Sequence, residues 1–387
     1  MHMTRKLYDE NSHLSEFDAE VLSCVAEAEH WTVVLDVTAF FPEGGGQGAD
    51  TGMLNQAQVL DVQEIDGSIV HITNRPIEPG TTVHGVLDWD KRFRRMQEHS
   101  GEHIISGLVH RKYGYRNVGF HLGDETVTMD YDGELTHEQI SELEWLANEA
   151  IWKNVPIVAE YPSEEALRTL DYRSKLDLTE NVRIVTIEGY DVCACCAPHV
   201  SFTGEIGAIK IVDSMRHRGG MRLTILCGSD AVRQYRMLFD EAAALSGLLN
   251  VPKDQLVPAV ERLFAERDSL EQALAAREEK LNALRAKALP ENGRNIVIVD
   301  AFDDPDAMRE LVNIGMERAT GVCAAFSGKD AEGYRYIIGS KTTDLRAYAK
   351  DINAALHGRG GGRPTMIQGS CSAKRAEIEQ FFEQFLA

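Results

Sequence analysis

The chain has 387 residues, enough for two or three domains with separate cores. It has no run of about eighteen apolar residues, so nothing in it should span a membrane. A formal net charge of −21 argues, on average, against a nucleic-acid partner. Seven cysteines, three of them within 193–196, suit metal or thiol chemistry in a reducing compartment better than a disulfide framework. The first ten residues are polar and charged with no apolar signal core, so the expected location is cytoplasmic.

In chain order, residues 1–90 read as a small β-barrel-like domain. Short apolar runs, Trp31–Val37 and Gln58–Val62, are separated by turn residues. Between them lies Thr38-Ala39-Phe40-Phe41-Pro42-Glu43-Gly44-Gly45-Gly46-Gln47. Consecutive glycines cannot fill a core. They make a tight turn or let the backbone come close to something, and close approach to a substrate is the preferred reading.

Residues 91–235 form an α/β domain with an antiparallel sheet. Trp89, Phe93, Met96, Ile104 and Leu108 recur at three- and four-residue steps, as on a half-buried helix. On that helix His99 and His103, four apart, lie one above the other, within reach of one metal ion. A strand near Thr126–Asp130 and a helix from Thr136 to Lys153 follow, Thr136 and Gln139 making a capping box. After the strand Val182–Ile187 comes Cys193-Ala194-Cys195-Cys196-Ala197-Pro198-His199, with Cys195 and His199 again four apart. One thiolate and three imidazoles make a zinc-type set that only the tertiary fold can assemble. Four protein ligands suit a structural ion, whereas a catalytic one keeps a position for water; the sequence leaves both open. Basic clusters at Lys91–Arg95, Arg111–Arg116 and Arg216–Arg222 flank these residues. A charge run is usually a solvated face, but three beside candidate ligands also suit a strip that binds RNA.

Residues 236–292 read as a helical, coiled-coil-like linker. Leu256, Val260, Leu263, Leu270, Leu274, Leu281 and Leu284 fit a heptad frame, interrupted by Arg267 and Arg277 and ended by Pro290. Residues 293–387 read as a C-terminal α/β globular domain. In it, His357-Gly358-Arg359-Gly360-Gly361-Gly362-Arg363-Pro364 reads either as a loop whose amides and guanidinium groups meet phosphate or as a plain connector. No phosphate-binding loop with its lysine occurs, so nothing implies ATP hydrolysis. The class is α+β.

In this order, the segments Thr38–Gln47, Met96–His103, Cys195–Val200, Arg218–Arg222 and Gly360–Pro364 resemble the long form of the freestanding alanyl-tRNA editing proteins, the AlaX family. The same segments make up the editing and C-terminal parts of alanyl-tRNA synthetase. The resemblance implies one zinc ion per chain on His99, His103, Cys195 and His199, and hydrolysis in trans of tRNA(Ala) mischarged with serine or glycine. It further implies a catalytic set of His99, His103, Gln47 and Glu102. Gly45, Gly46, Gln47, Thr128, Arg218, Arg222 and Arg363 would bind substrate. Gln47, Glu102 and Thr128 are candidates for hydrogen-bonding a serine hydroxyl. Cys196, Ala197 and Pro198 stand where the synthetase has two glycines and a threonine, so Cys193 and Cys196 are alternative thiolates. Glu102 stands where relatives commonly carry an uncharged polar residue. The helical linker and C-terminal domain make a homodimer an expectation. Two other classes compete: a small-molecule metallohydrolase and a non-catalytic tRNA-binding protein with structural zinc.

Overall fold

The computed structural model describes residues 3–27, 29–123, 126–174, 182–302 and 304–385. They divide into two compact units, Met1–Ala244 and Leu245–Ala387. The class is α+β with several separate sheets. No helix among the described residues is long and apolar enough to cross a membrane.

The first unit opens with a closed six-stranded barrel of Glu16–Ala26, Trp31–Leu35, Gly52–Leu54, Ala57–Ile65, Ser68–Thr73 and Thr82–Leu87. Every neighbouring pair is antiparallel. Alternate residues point inward, as the two-residue period of a strand requires, so Phe17, Ala19, Val21, Val33, Leu35, Ile69, Val83 and Leu87 fill the interior. Register shifts at Val21/Ser23 and Val59/Asp61 bend two strands as closure demands.

After the barrel, the helix Trp89–Tyr113 runs for 25 residues. Asp88 caps its start by accepting from the Lys91 amide, and Gly114, in the left-handed conformation, ends it. Its face from Met96 to Val109 is buried against a four-stranded antiparallel sheet ordered Ile209–His217, Gly220–Cys227, Val127–Tyr131, Asn117–Leu122. The helix His137–Lys153 packs beside it and begins with the capping box expected from Thr136 and Gln139. A smaller sheet, Ile157–Glu160, Ile184–Ile187 and Asp191–Ala194, completes the surroundings.

In the second unit, five strands lie in the order Ile296–Asp300, Cys323–Lys329, Gly333–Gly339, Met366–Cys371, Gly358–Arg363. Met308, Leu311 and Val312 of the helix Pro305–Arg318 join a core with Ala325 and Ile337 on one face. Leu345, Ile352, Ile378 and Phe382 pack with Phe326 and Tyr336 on the other. Here the expectation of a loop at His357–Pro364 is corrected: Gly358–Arg363 is an edge strand paired residue by residue with Met366–Cys371. Glycine weakens a strand by intrinsic preference, but ladder pairing to a neighbour overrides it. The helix Leu256–Ala288 spans 33 residues and stops before Pro290. Leu263, Leu270, Leu274, Leu281 and Leu284 are exposed along it.

Inside the barrel, His71 is fully buried. Its Nδ1 lies 3.1 Å from the Val33 carbonyl and its Nε2 2.8 Å from Thr38 Oγ1, the pairing of a neutral ring. Burial pushes its pKa down to about 4 despite the bond to Val33. The unfolded chain therefore takes up this proton first, and stability is lost as pH falls from about 6.5 toward 4. The loss should reach up to about 3 kcal/mol. Urea unfolding of the wild type and of His71→Gln across that range should show a slope in the first that is flattened in the second.

Candidate metal centre

Four side chains from two distant stretches of the chain converge within the first unit. His99, His103, Cys195 and His199 each offer a ligand atom within 4.8 Å of the others. His99 and His103 are one turn apart on the long helix, their ring centroids separated by 5.4 Å. His199 closes the triangle at 4.8 and 4.6 Å. Cys195 Sγ lies 3.5 Å from His99 Nε2 and 3.4 Å from His199 Nε2. A tetrahedral zinc with ordinary bond lengths puts nitrogen and sulfur ligands roughly 3.6 Å apart. The donor set fits such an ion. Among the three neighbouring thiols, Cys195 is the one in this cluster, whereas Cys196 is exposed beside Gly45. Cys193 joins a second group with His103 and Asp191.

A second layer fixes the three rings. His99 Nδ1 is 2.9 Å from Gln47 Oε1, His103 Nδ1 is 3.0 Å from Asp191 Oδ2, and His199 Nδ1 is 3.0 Å from Ser100 Oγ. The Nδ1 atoms of His99 and His199 are thereby bonded, and that of His103 stands at ion-pair distance from Asp191 without hydrogen-bond geometry, leaving the three Nε2 atoms for a metal. Asp191 is in turn gripped at both oxygens by Arg173, at 2.7 and 2.8 Å. Burial opposes ionisation of Cys195, yet the rings of His99 and His199 hold its thiol well below the usual range. Burial takes His199 down to about 3, which keeps that ring neutral and able to bind a metal. At His103 burial opposes the charge, but Cys193, Asp191 and Cys195 raise the ring well above its ordinary value, so a metal binding there would displace a proton.

Backbone geometry explains the close approach. At Gly46, with φ of +86°, a Cβ would stand 2.7 Å from Phe120 Cδ1 and 2.9 Å from its carbonyl oxygen, so the glycine turn seats Gln47 against the strand beneath. At Gly107, one turn beyond His103, a Cβ would stand 2.3 Å from the Tyr190 carbonyl. Its absence lets Asp191 reach His103.

Glu102, beside the cluster and buried, has Oε1 held by Ser106 at 2.5 Å and Asn117 at 2.6 Å. Its Oε2 stands 3.9 Å from His103 Nε2. Asn117, Arg173 and Cys193 also line a cleft of about 510 Å³ with Arg116 and Tyr172. Two of its lining residues touch the surroundings of the cluster: Asn117 bonds Glu102, and Arg173 bonds Asp191.

The structure does not bring every expected residue here. Val127, Met129 and Tyr131 face the helix, so Thr128 projects from the opposite face of its strand, away from His99. It shares that face with Asp130 and Arg222, which form a two-oxygen ion pair. Arg218 occupies the hairpin turn between Ile209–His217 and Gly220–Cys227, and Arg363 belongs to the second unit. The basic cluster Lys91–Arg95 is not a solvated strip: Arg92 and Arg95 are buried, and Arg94 bonds Asp230. Sequence reading missed Asp191, Ser100 and Arg173. A signal existed for the first, because 191, 193 and 195 alternate along an extended segment and share one face.

Residues 7–91 match the family described as class II (A) tRNA synthetases, and residues 182–223 match the second additional domain of threonyl and alanyl tRNA synthetases. The alanine–tRNA ligase of Ignicoccus hospitalis is 28% identical over 393 residues, covering 97% of this chain and 42% of the ligase. That of Thermococcus kodakarensis is 31% identical over 388 residues, covering 95% and 41%. The Pyrococcus furiosus ligase is 36% identical over 278 residues, covering 68% and 30%. The chain thus spans well under half the length of these relatives. A solved structure of the C-Ala domain of Aquifex aeolicus alanyl-tRNA synthetase is similar at 22% identity and a TM-score of 0.21, over 24% of this chain and 95% of that one.

Proposed function

We propose, for a chain related to the alanine–tRNA ligases along nearly its whole length, that it hydrolyses in trans the ester of tRNA(Ala) carrying the wrong amino acid, serine or glycine. The observation that carries this reading is the convergence of His99, His103, Cys195 and His199 beside the glycine turn that seats Gln47. An aminoacyl ester is already activated, so the site has to hold a water, orient the acyl group and relieve charge at the carbonyl.

Zinc on these four side chains would supply Lewis acidity at that carbonyl. The protein's own groups do the rest. Glu102, anchored at Oε1 by Ser106 and Asn117, takes a proton from the attacking water at Oε2. The exposed backbone at Gly45 is assigned to the approach of the terminal adenosine, whereas Gly46 packs on Phe120. Thr128, on the far face of its sheet, has no part in choosing serine.

A second reading is favoured by one feature: four protein ligands fill a tetrahedral shell, as in structural sites. A tRNA-binding protein with structural zinc would bind tRNA(Ala) and leave the ester intact. In the second unit Arg359 and Arg363 are exposed on the edge strand, and Arg335 stands in the same row of the sheet as Arg359. We assign these guanidinium groups to the RNA backbone. A second copy of this chain is the proposed cover for the leucine row of Leu256–Ala288.

Three measurements test these proposals. Deacylation of Ser-, Gly- and Ala-tRNA(Ala) should proceed on the first two, and Cys195→Ala or a strong chelator should abolish it with loss of zinc. Intact Ser-tRNA(Ala) after incubation with the zinc-loaded protein would leave the structural reading standing. Arg363→Ala should weaken tRNA binding and lower the salt slope by about one unit; an unchanged slope removes this strand from the interface. Sedimentation at tens of micromolar should give twice the chain mass, and a monomer would exclude the dimer.

A further inference from the structure

We propose that Arg173 holds the 5′-phosphate of the substrate's terminal nucleotide, a role that rests on the ester-hydrolase reading above. The cleft of about 510 Å³ carries this assignment. Arg116 and Arg173 line it together with His110 and Asn117, and among the described residues no carboxylate does. In a chain of net charge −21, a hollow walled by two guanidinium groups and no acid suits an anion. The neighbouring cleft of about 500 Å³ has a different character, because Asp171 and Asp191 line it.

The two arginines differ. Arg116 is tied to Asp132 at 2.8 Å on a side chain that is 76% exposed. The Arg173 side chain is 13% exposed, and its Nε and Nη2 donate to Asp191 at 2.7 and 2.8 Å. A guanidinium has five N–H groups, so three remain, two of them on Nη1. Among the described residues nothing accepts those three. The backbone fixes the fork in place: the Arg173 amide donates to the Val192 carbonyl at 2.8 Å, and its carbonyl accepts from the Ala194 amide at 2.9 Å. The same cleft reaches the reacting groups, since Asn117 bonds Glu102 at 2.6 Å and Cys193 groups with His103. An aminoacyl ester carries no free carboxylate. The anion nearest its carbonyl is the phosphate one ribose away, and the free edge of a guanidinium matches two phosphate oxygens.

The probes are 3′-seryl-amido-adenosine, which is not hydrolysed as an ester, and the same compound with a 5′-monophosphate. Both are titrated calorimetrically into the zinc-loaded full chain. Wild-type protein should bind the phosphorylated form about tenfold more tightly. Arg173→Gln should bind the two forms alike, and Arg116→Gln should keep most of the difference. Any loosening of Asp191 in Arg173→Gln lowers both affinities together, so the ratio within each protein is the readout. Equal binding of the two forms by the wild type overturns the proposal without recourse to a variant. A ratio that survives in Arg173→Gln overturns it as well. So does inorganic phosphate that binds alone as tightly as the nucleotide, by making the cleft a site for a free anion. Wild-type protein that binds neither probe overturns the ester-hydrolase reading itself, and this role with it.

Discussion

Arg92, a guanidinium shut off from solvent, is the joint on which the candidate centre depends. It bonds the Asp50 carboxylate, the Ala39 carbonyl and the Ser12 carbonyl at once. Asp50 also accepts from the Phe41 amide at 2.7 Å. The strip from Ala39 to Asp50, with Gln47 inside it, is therefore pinned to the same helix that carries His99 and His103. Removing one partner of such a buried pair typically costs about 3–5 kcal/mol, because the other charge is stranded. The net contribution of the intact pair is smaller. What it contributes is geometry: a barrel loop and a helix face are set in register before any ion or substrate arrives.

That joint also shows what a sequence can and cannot announce. The histidine spacing was readable because a helix repeats every 3.6 residues, and the apolar steps from Trp89 to Leu108 declared the helix. Cys195 and His199 were readable as ligand types, although nothing in their spacing said where they would meet His99. Arg92 and Arg95 fit neither the solvated face nor the RNA-binding strip that their charge run suggests, since one-dimensional charge density does not reveal burial. Their partners are mostly backbone carbonyls, which carry no residue identity. Gly358–Arg363 was misread for a related reason. Its strand is specified by the partner Met366–Cys371, and its own residues argue against it.

The two units divide the chemistry as they divide the chain. All four candidate ligands, their outer partners Gln47, Asp191 and Ser100, and Glu102 lie in Met1–Ala244. The helix Leu256–Ala288 and the glycine- and arginine-bearing sheet lie in Leu245–Ala387. Acid–base and metal-binding groups thus cluster in one compact body, and the exposed arginines assigned to RNA stand in the other. The aligned alanine–tRNA ligases span both bodies, so the pairing of these two bodies is shared with the enzymes of Ignicoccus and Thermococcus.

The barrel and the C-terminal sheet end differently. The barrel closes on itself and offers no free edge. The C-terminal sheet finishes at Gly358–Arg363, whose outer side carries no further strand among the described residues. A strand with four glycines and an open flank is an invitation to another chain's backbone, the first step toward aggregation. Arg359 and Arg363 set like charges against any copy of themselves that tried to add there. The same two residues that we assign to a polyanion would therefore also oppose such pairing.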